Sequence, residues 1–176
     1  MILKDASDFQ GTFSTGTGSA LLQIPKYDLT LNRVQLILGG TALTKAMISR
    51  IRMKLGGKPV YEVTGTNLDK MNRHKKLYDN ANHLTLDFNE KDAPDIVGKE
   101  IGGYDMAQLA DGLSLDVDVA GATAPTLKAK YFFTPPQDNP LVLKVLPIAQ
   151  YMGTIGRSTL DFDAKGALLK RAFFFY

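Results

Sequence analysis

The chain has 176 residues, enough for one well-buried domain with an element to spare. Hydrophobic residues make up 44% and charged residues 22%, ordinary globular values that argue against disorder; the net charge of +3, with both signs interspersed, is too small to argue for a phosphate-binding face. No cysteine is present, which removes disulfides, thiolate zinc sites and cysteine nucleophiles.

The opening Met1–Asp5 lacks a basic stretch followed by an apolar one, so no secretory signal is expected. Residues 1–17 are rich in Gly, Ser and Thr from Gly11 onward and read as a loose N-terminal arm. Ser19–Pro25 and Leu29–Leu38 then read as strands. In the second, Leu29 and Leu31 are followed by Val34, Leu36 and Leu38 at period two, and the slip in phase predicts a bulge between Leu31 and Val34. Residues 48–55 alternate, with Ile51, Met53 and Leu55 on one face and Arg50, Arg52 and Lys54 on the other. Gly56-Gly57 turns the chain into Pro59–Val63, a hairpin signal.

One helix is predicted over 66–79. Thr66 is placed to cap it, Asp69 lies near its positive end, and Leu68, Met71, Lys75 and Tyr78 share a face on which Lys75 can bury its stem. Strands resume at His83–Phe88, Leu113–Val119, Thr126–Thr134 and Leu141–Leu146, with a long connection at 89–112 that holds one helical turn around Met106–Leu109. Eight strand candidates with uneven loops and one helix predict a mainly β fold, an antiparallel two-sheet jelly roll with one short external helix.

Ser158–Phe162 and Ala167–Tyr176 read as two further strands. A shift of about 138 positions lays Gly156 on Gly18, Leu160 on Leu22, Leu169 on Leu31 and Arg171 on Arg33, as a partial second copy of the opening of the first domain would.

That tail, the segment Ile51-Arg52-Met53-Lys54-Leu55-Gly56-Gly57-Lys58-Pro59-Val60-Tyr61-Glu62-Val63 and the run Leu68-Asp69-Lys70-Met71-Asn72-Arg73-His74-Lys75 resemble the major coat proteins of tailless, membrane-containing icosahedral phages of the corticovirus type and their prophage relatives. The resemblance implies a viral jelly-roll capsid subunit. In that family two barrels stand side by side and a trimer has pseudo-sixfold shape. It further implies an arm at 1–17, a first barrel at 18–147, and at 148–176 the linker and first strands of a truncated second barrel. The implied partners are copies of the chain in trimeric capsomers, other capsid proteins and an internal viral membrane, with no specific nucleic-acid sequence. The implied location is the virion, assembled in the bacterial cytoplasm.

No catalytic site, cofactor site or metal site is expected. Gly16-Thr17-Gly18 and Gly39-Gly40-Thr41 lack the Lys-Ser/Thr of a phosphate loop and do not open a helix. His74 and His83 have no partner in an HExxH pattern. The cluster Arg73-His74-Lys75-Lys76 reads as a solvated helix end in preference to a nucleic-acid or lipid contact, and Asp116/Asp118 and Asp161/Asp163 as wet strand faces in preference to calcium ligands. A carbohydrate- or ligand-binding jelly-roll module is the alternative function, weakened by the lack of Trp and the scatter of the seven Tyr. A cupin-type enzyme would need more histidines than the two present. The expected subunit contacts are Phe173, Phe174, Phe175 and Tyr176. Burying three Phe side chains is worth about 5–8 kcal/mol, so this β-prone run is expected to add to a sheet edge or to pair with another chain.

Overall fold

The computed structural model describes residues 2–5, 9, 16–77, 80–90, 93–95, 98–99, 101–138, 142–149, 159, 169 and 171–175. Met1–Leu146 forms one compact unit and Pro147–Tyr176 a second, small one. In the first unit nine strands occur among the described residues: β1 (Ile2–Asp5), β2 (Gly16–Ile24), β3 (Thr30–Gly40), β4 (Ile48–Leu55), β5 (Lys58–Val63), β6 (His83–Asp87), β7 (Tyr104–Asp105), β8 (Leu113–Ala122) and β9 (Pro125–Thr134). One helix, α1 (Gly65–His74), lies between β5 and β6.

The pairing is nested: β1 with β9, β2 with β8, β3 with β6, and β4 with β5, all antiparallel. The β4–β5 hairpin is the tip of this ladder. Folding the ladder over adds the β3–β9 and β4–β8 contacts and yields two sheets, β1-β9-β3-β6 and β2-β8-β4-β5, with β7 also pairing β3. This is jelly-roll order, and the predicted fold class holds. Period-two side chains from both sheets meet between them: Leu22, Ile51, Met53, Leu115 and Val117 from one, Leu31, Val34, Leu36, Leu84 and Phe133 from the other, all buried. Each such side chain contributes about 1.5–3 kcal/mol through the apolar surface removed from water.

Several local expectations hold. Gly56 and Gly57 take φ of 55° and 80°, the left-handed pair that a two-residue hairpin needs. The slip in β3 is a bulge, since the register with β9 shifts between Leu31 and Arg33. Lys75 buries its stem and donates from Nζ to the carbonyl oxygens of Asp87 and Asn89, each at 3.1 Å.

Others are corrected. Residues 2–5 lie within the stretch read as a loose arm, yet they form β1, with Ile2 opposite Phe133 and Asp5 opposite Lys130. The strand expected at Leu141–Leu146 is absent from the described residues 142–146. A single parallel bridge forms there instead: Val145 N donates to Val60 O at 2.8 Å, and Glu62 N to Val145 O at 2.7 Å. Seven of the eight expected strands therefore form, and β1 and the two-residue β7, neither of them expected, bring the number among the described residues to nine. Helix α1 starts at Gly65, one residue earlier than expected, because Thr64, not Thr66, caps it: Asn67 N donates to Thr64 Oγ1 at 3.2 Å. It ends at His74, with Lys76 at a φ of 50°, so the helix does not continue through 75–77; Tyr78 and Asp79 lie outside the described residues. Met106–Leu109 is a turn held by Asp105, whose carbonyl and Oδ1 accept from Gln108 N and Ala107 N.

Helix α1 sits outside the sandwich, as expected, and seals the β6 edge. Leu68 and Met71 face inward, and the Asn72 side-chain amide donates to Thr85 O at 2.7 Å and accepts from Thr85 N at 2.9 Å. That amide occupies the edge hydrogen bonds a further strand would use. Residues 142–146 cover the β5 edge in a similar way, and Tyr104 Oη donates to Leu143 O at 2.5 Å.

Candidate functional site

The outward side chains of the β2-β8-β4-β5 sheet form a charge ladder. Arg50, Arg52 and Lys54 lie on β4, with Asp116 and Asp118 opposite on β8 and Glu62 on β5. Arg50 Nε donates to Asp118 Oδ2 at 2.7 Å and Arg52 Nε to Glu62 Oε2 at 3.0 Å, while Lys54 pairs diagonally with Asp116. From β2, Ser19 Oγ donates to Asp118 Oδ1 at 2.5 Å. Partial burial opposes ionisation of Asp118. The hydrogen bonds from Ser19 and Arg50 and the charges of Arg50 and Arg52 outweigh it and hold the carboxyl below its ordinary value. A shallow groove runs along this face between Ser19, Gln23, Lys54 and Ser114. Its acids are paired with cations, which is the chemistry of a solvated or contact face. Asp161 and Asp163 lie outside the described residues.

The basic run at the end of α1 is split by the fold. Arg73 pairs with Asp69 at 2.9 Å, one helical turn back, and Lys75 turns inward to Asp87. His74 ends α1 and His83 begins β6. Among the described residues, no three His, Asp or Glu side chains come together as metal ligands. Tyr61, Phe88 and Tyr104 form an edge-to-face stack in the core, with centroids 5.9 and 4.8 Å apart. Burial pushes both phenols well above their ordinary value, so these tyrosines are interior packing and not a surface platform.

One side of the barrel differs from the other. The β5 and β6 edges are covered, but among the described residues nothing pairs with the outer edges of β1 or β2. On β1, Ile2 is 40% and Leu3 54% exposed. In the second unit the described residues 171–175 carry no strand, where one was expected within Ala167–Tyr176. Phe173 and Phe175 stack with centroids 6.4 Å apart, Arg171 lies over Phe173 at 5.8 Å, and Phe174 is 66% exposed. Tyr176 and, apart from Thr159, the strand expected at Ser158–Phe162 lie outside the described residues.

Residues 7–132 match the family model described as viral coat protein P2 N-terminal domain. The chain belongs to this family. Among solved structures it is similar to the major capsid protein P2 from bacteriophage PM2, with a TM-score of 0.65 and 17% identity over 77% of this chain and 51% of that one. It is also similar to the STIV MCP, with a TM-score of 0.50 and 15% identity over 73% of this chain and 46% of that one. At such identities the likeness is one of fold. The chain spans about half the length of these two proteins. No curated protein sequence matches it significantly.

Within this coat-protein domain, sequence reasoning located the ladder residues but missed β1. Its one available signal was the apolar pair Ile2-Leu3 ahead of Lys4-Asp5, too short to show a period. The carbohydrate-binding alternative is not favoured by the family match.

Proposed function

We propose that this chain is a structural subunit of a viral shell, acting by packing against copies of itself and against other capsid proteins. The observation that carries this reading is the coat-protein family match over residues 7–132, laid on a complete jelly-roll strand order. A jelly roll suits the task because paired sheets hold loops at fixed positions without moving parts. The exposed side chains of β1 and the aromatic run Phe173-Phe174-Phe175-Tyr176 are the contact residues of this proposal. An apolar, uncharged strand-forming run is costly to leave in water and is readily matched by an identical partner. Trimeric capsomers, an apposed internal membrane, assembly in the bacterial cytoplasm and a role for residues 148–176 in joining a second barrel belong to the same proposal.

Sedimentation velocity and negative-stain microscopy on the purified chain test it. Concentration-dependent trimers or larger closed assemblies are expected. A chain that stays monomeric at high concentration, and is unchanged by deleting residues 158–176, would overturn the proposed contacts.

A further inference from the structure

The outer face of the β1-β9-β3-β6 sheet is polar, yet near the start of β3 it is buried. Thr30, Asn32 and Asp105 are 0%, 4% and 1% exposed. The β3 bulge explains why they share a side: Leu31 and Val34 point into the core, which leaves Thr30 and Asn32 on the outer face. β7 lays Asp105 directly opposite Thr30, and β9 lays Thr134 on the other side of it. Two loops close over the group. Gln137 Nε2 donates to Thr134 Oγ1 at 2.9 Å, and Gln108 Nε2 to Asp138 Oδ1 at 3.0 Å.

Part of this polar cluster is satisfied within the protein. Asn32 Nδ2 donates to Thr134 Oγ1 at 2.8 Å, and Asp105 Oδ1 accepts from Ala107 N at 3.2 Å. Three buried oxygens of the cluster have no hydrogen-bond partner among the described residues: Thr30 Oγ1, Asn32 Oδ1 and Asp105 Oδ2. A buried oxygen left unpaired costs about 1–3 kcal/mol, and more for a carboxylate. Three such atoms on neighbouring residues are rarely left so in a folded protein.

We propose that Thr30, Asn32 and Asp105 bind one internal water molecule that ties the β7 turn to β3. Its donors and acceptors balance. The water donates one hydrogen to Asp105 Oδ2 and the other to Asn32 Oδ1, and accepts the hydroxyl hydrogen of Thr30. Three hydrogen bonds are the usual number for a buried water. A divalent cation suits the group less well, since calcium takes six to eight oxygens and only one carboxylate is present.

Crystals of the whole chain, grown once with a chelator and once with added calcium, test this. The expected result is the same density peak in both, about 2.7–3.2 Å from the three oxygens. No peak, direct contact between Asp105 and Asn32, or a peak at about 2.3–2.6 Å that the chelator removes would overturn it, the last marking a cation. Thr30→Val keeps the side chain's shape and removes its hydroxyl. It is expected to weaken the peak and to lower the melting temperature by about 2–4 °C, the shift of one lost hydrogen bond. Unchanged melting with an unchanged peak would remove Thr30 from the site and overturn the three-point assignment.

Discussion

Lys75–Asp87 and Lys54–Asp116 are the same pair of charges in two settings. In the first the side chains are 12% and 3% exposed, and the ammonium also satisfies two backbone carbonyls where α1 meets β6. In the second they are 27% and 23% exposed, on the open face of a sheet. Water has largely been removed from the first pair, so its ammonium has no substitute; the second pair can exchange its partner for solvent. Burial, and not residue type, decides which contact holds the fold together.

The sharpest way to break this comparison is Lys75→Met, which keeps the stem and deletes the charge. Asp87 would retain Arg33, at 3.2 Å, and two carbonyls would lose their donor. A loss of about 2–4 kcal/mol is expected in urea unfolding. A loss as small as that of Lys54→Met, expected below about 1 kcal/mol, would erase the distinction.

Gly65→Ala probes the opposite end of α1 without charge. A Cβ at Gly65 would collide with the Lys45 carbonyl oxygen and sit 2.8 Å from Ile48 Cβ. Overpacking should outweigh the gain in helix propensity, for a net loss of about 1–2 kcal/mol.

Salt sharpens the contrast further. Raising sodium chloride to about 1 M shortens the screening length to about 3 Å, so the cost of Lys54→Met should fall while that of Lys75→Met stays. The smallest effect concerns pH. The folded-state pKa of Asp118 lies below its ordinary value, so its stabilisation is complete above that value and is lost as pH falls through the folded one. The melting-temperature gap between the wild type and Asp118→Asn should be constant near neutral pH and close as pH drops below about 4. A gap that widens in acid would mean that the ladder does not favour the ionised form.

Much of the barrel was legible because its strands carry their own signals. Ile51, Met53 and Leu55 alternate with Arg50, Arg52 and Lys54, and Gly56-Gly57 marks the turn by a conformation that other residues resist. Even the β3 bulge could be read, since one extra residue shifts every later apolar position. The ladder was legible for the same reason: outward positions at period two predict which side chains face water.

What the sequence determined by itself is thus the local and periodic part: which segments are strands, which face of each is apolar, where the main hairpin turns, and that a capped helix follows β5. Tertiary structure alone decided three things. It made Ile2–Asp5 a strand, because β9 had a free edge to pair with, and it reduced 142–146 to one bridge along β5. It buried Thr30 and Asn32, polar residues that lie between the apolar positions of β3, and Asp105, which the sequence places in the long connection 89–112. Periodicity reports which side of a sheet a residue takes, whereas exposure depends on which loops close over that side, and those come from distant parts of the chain.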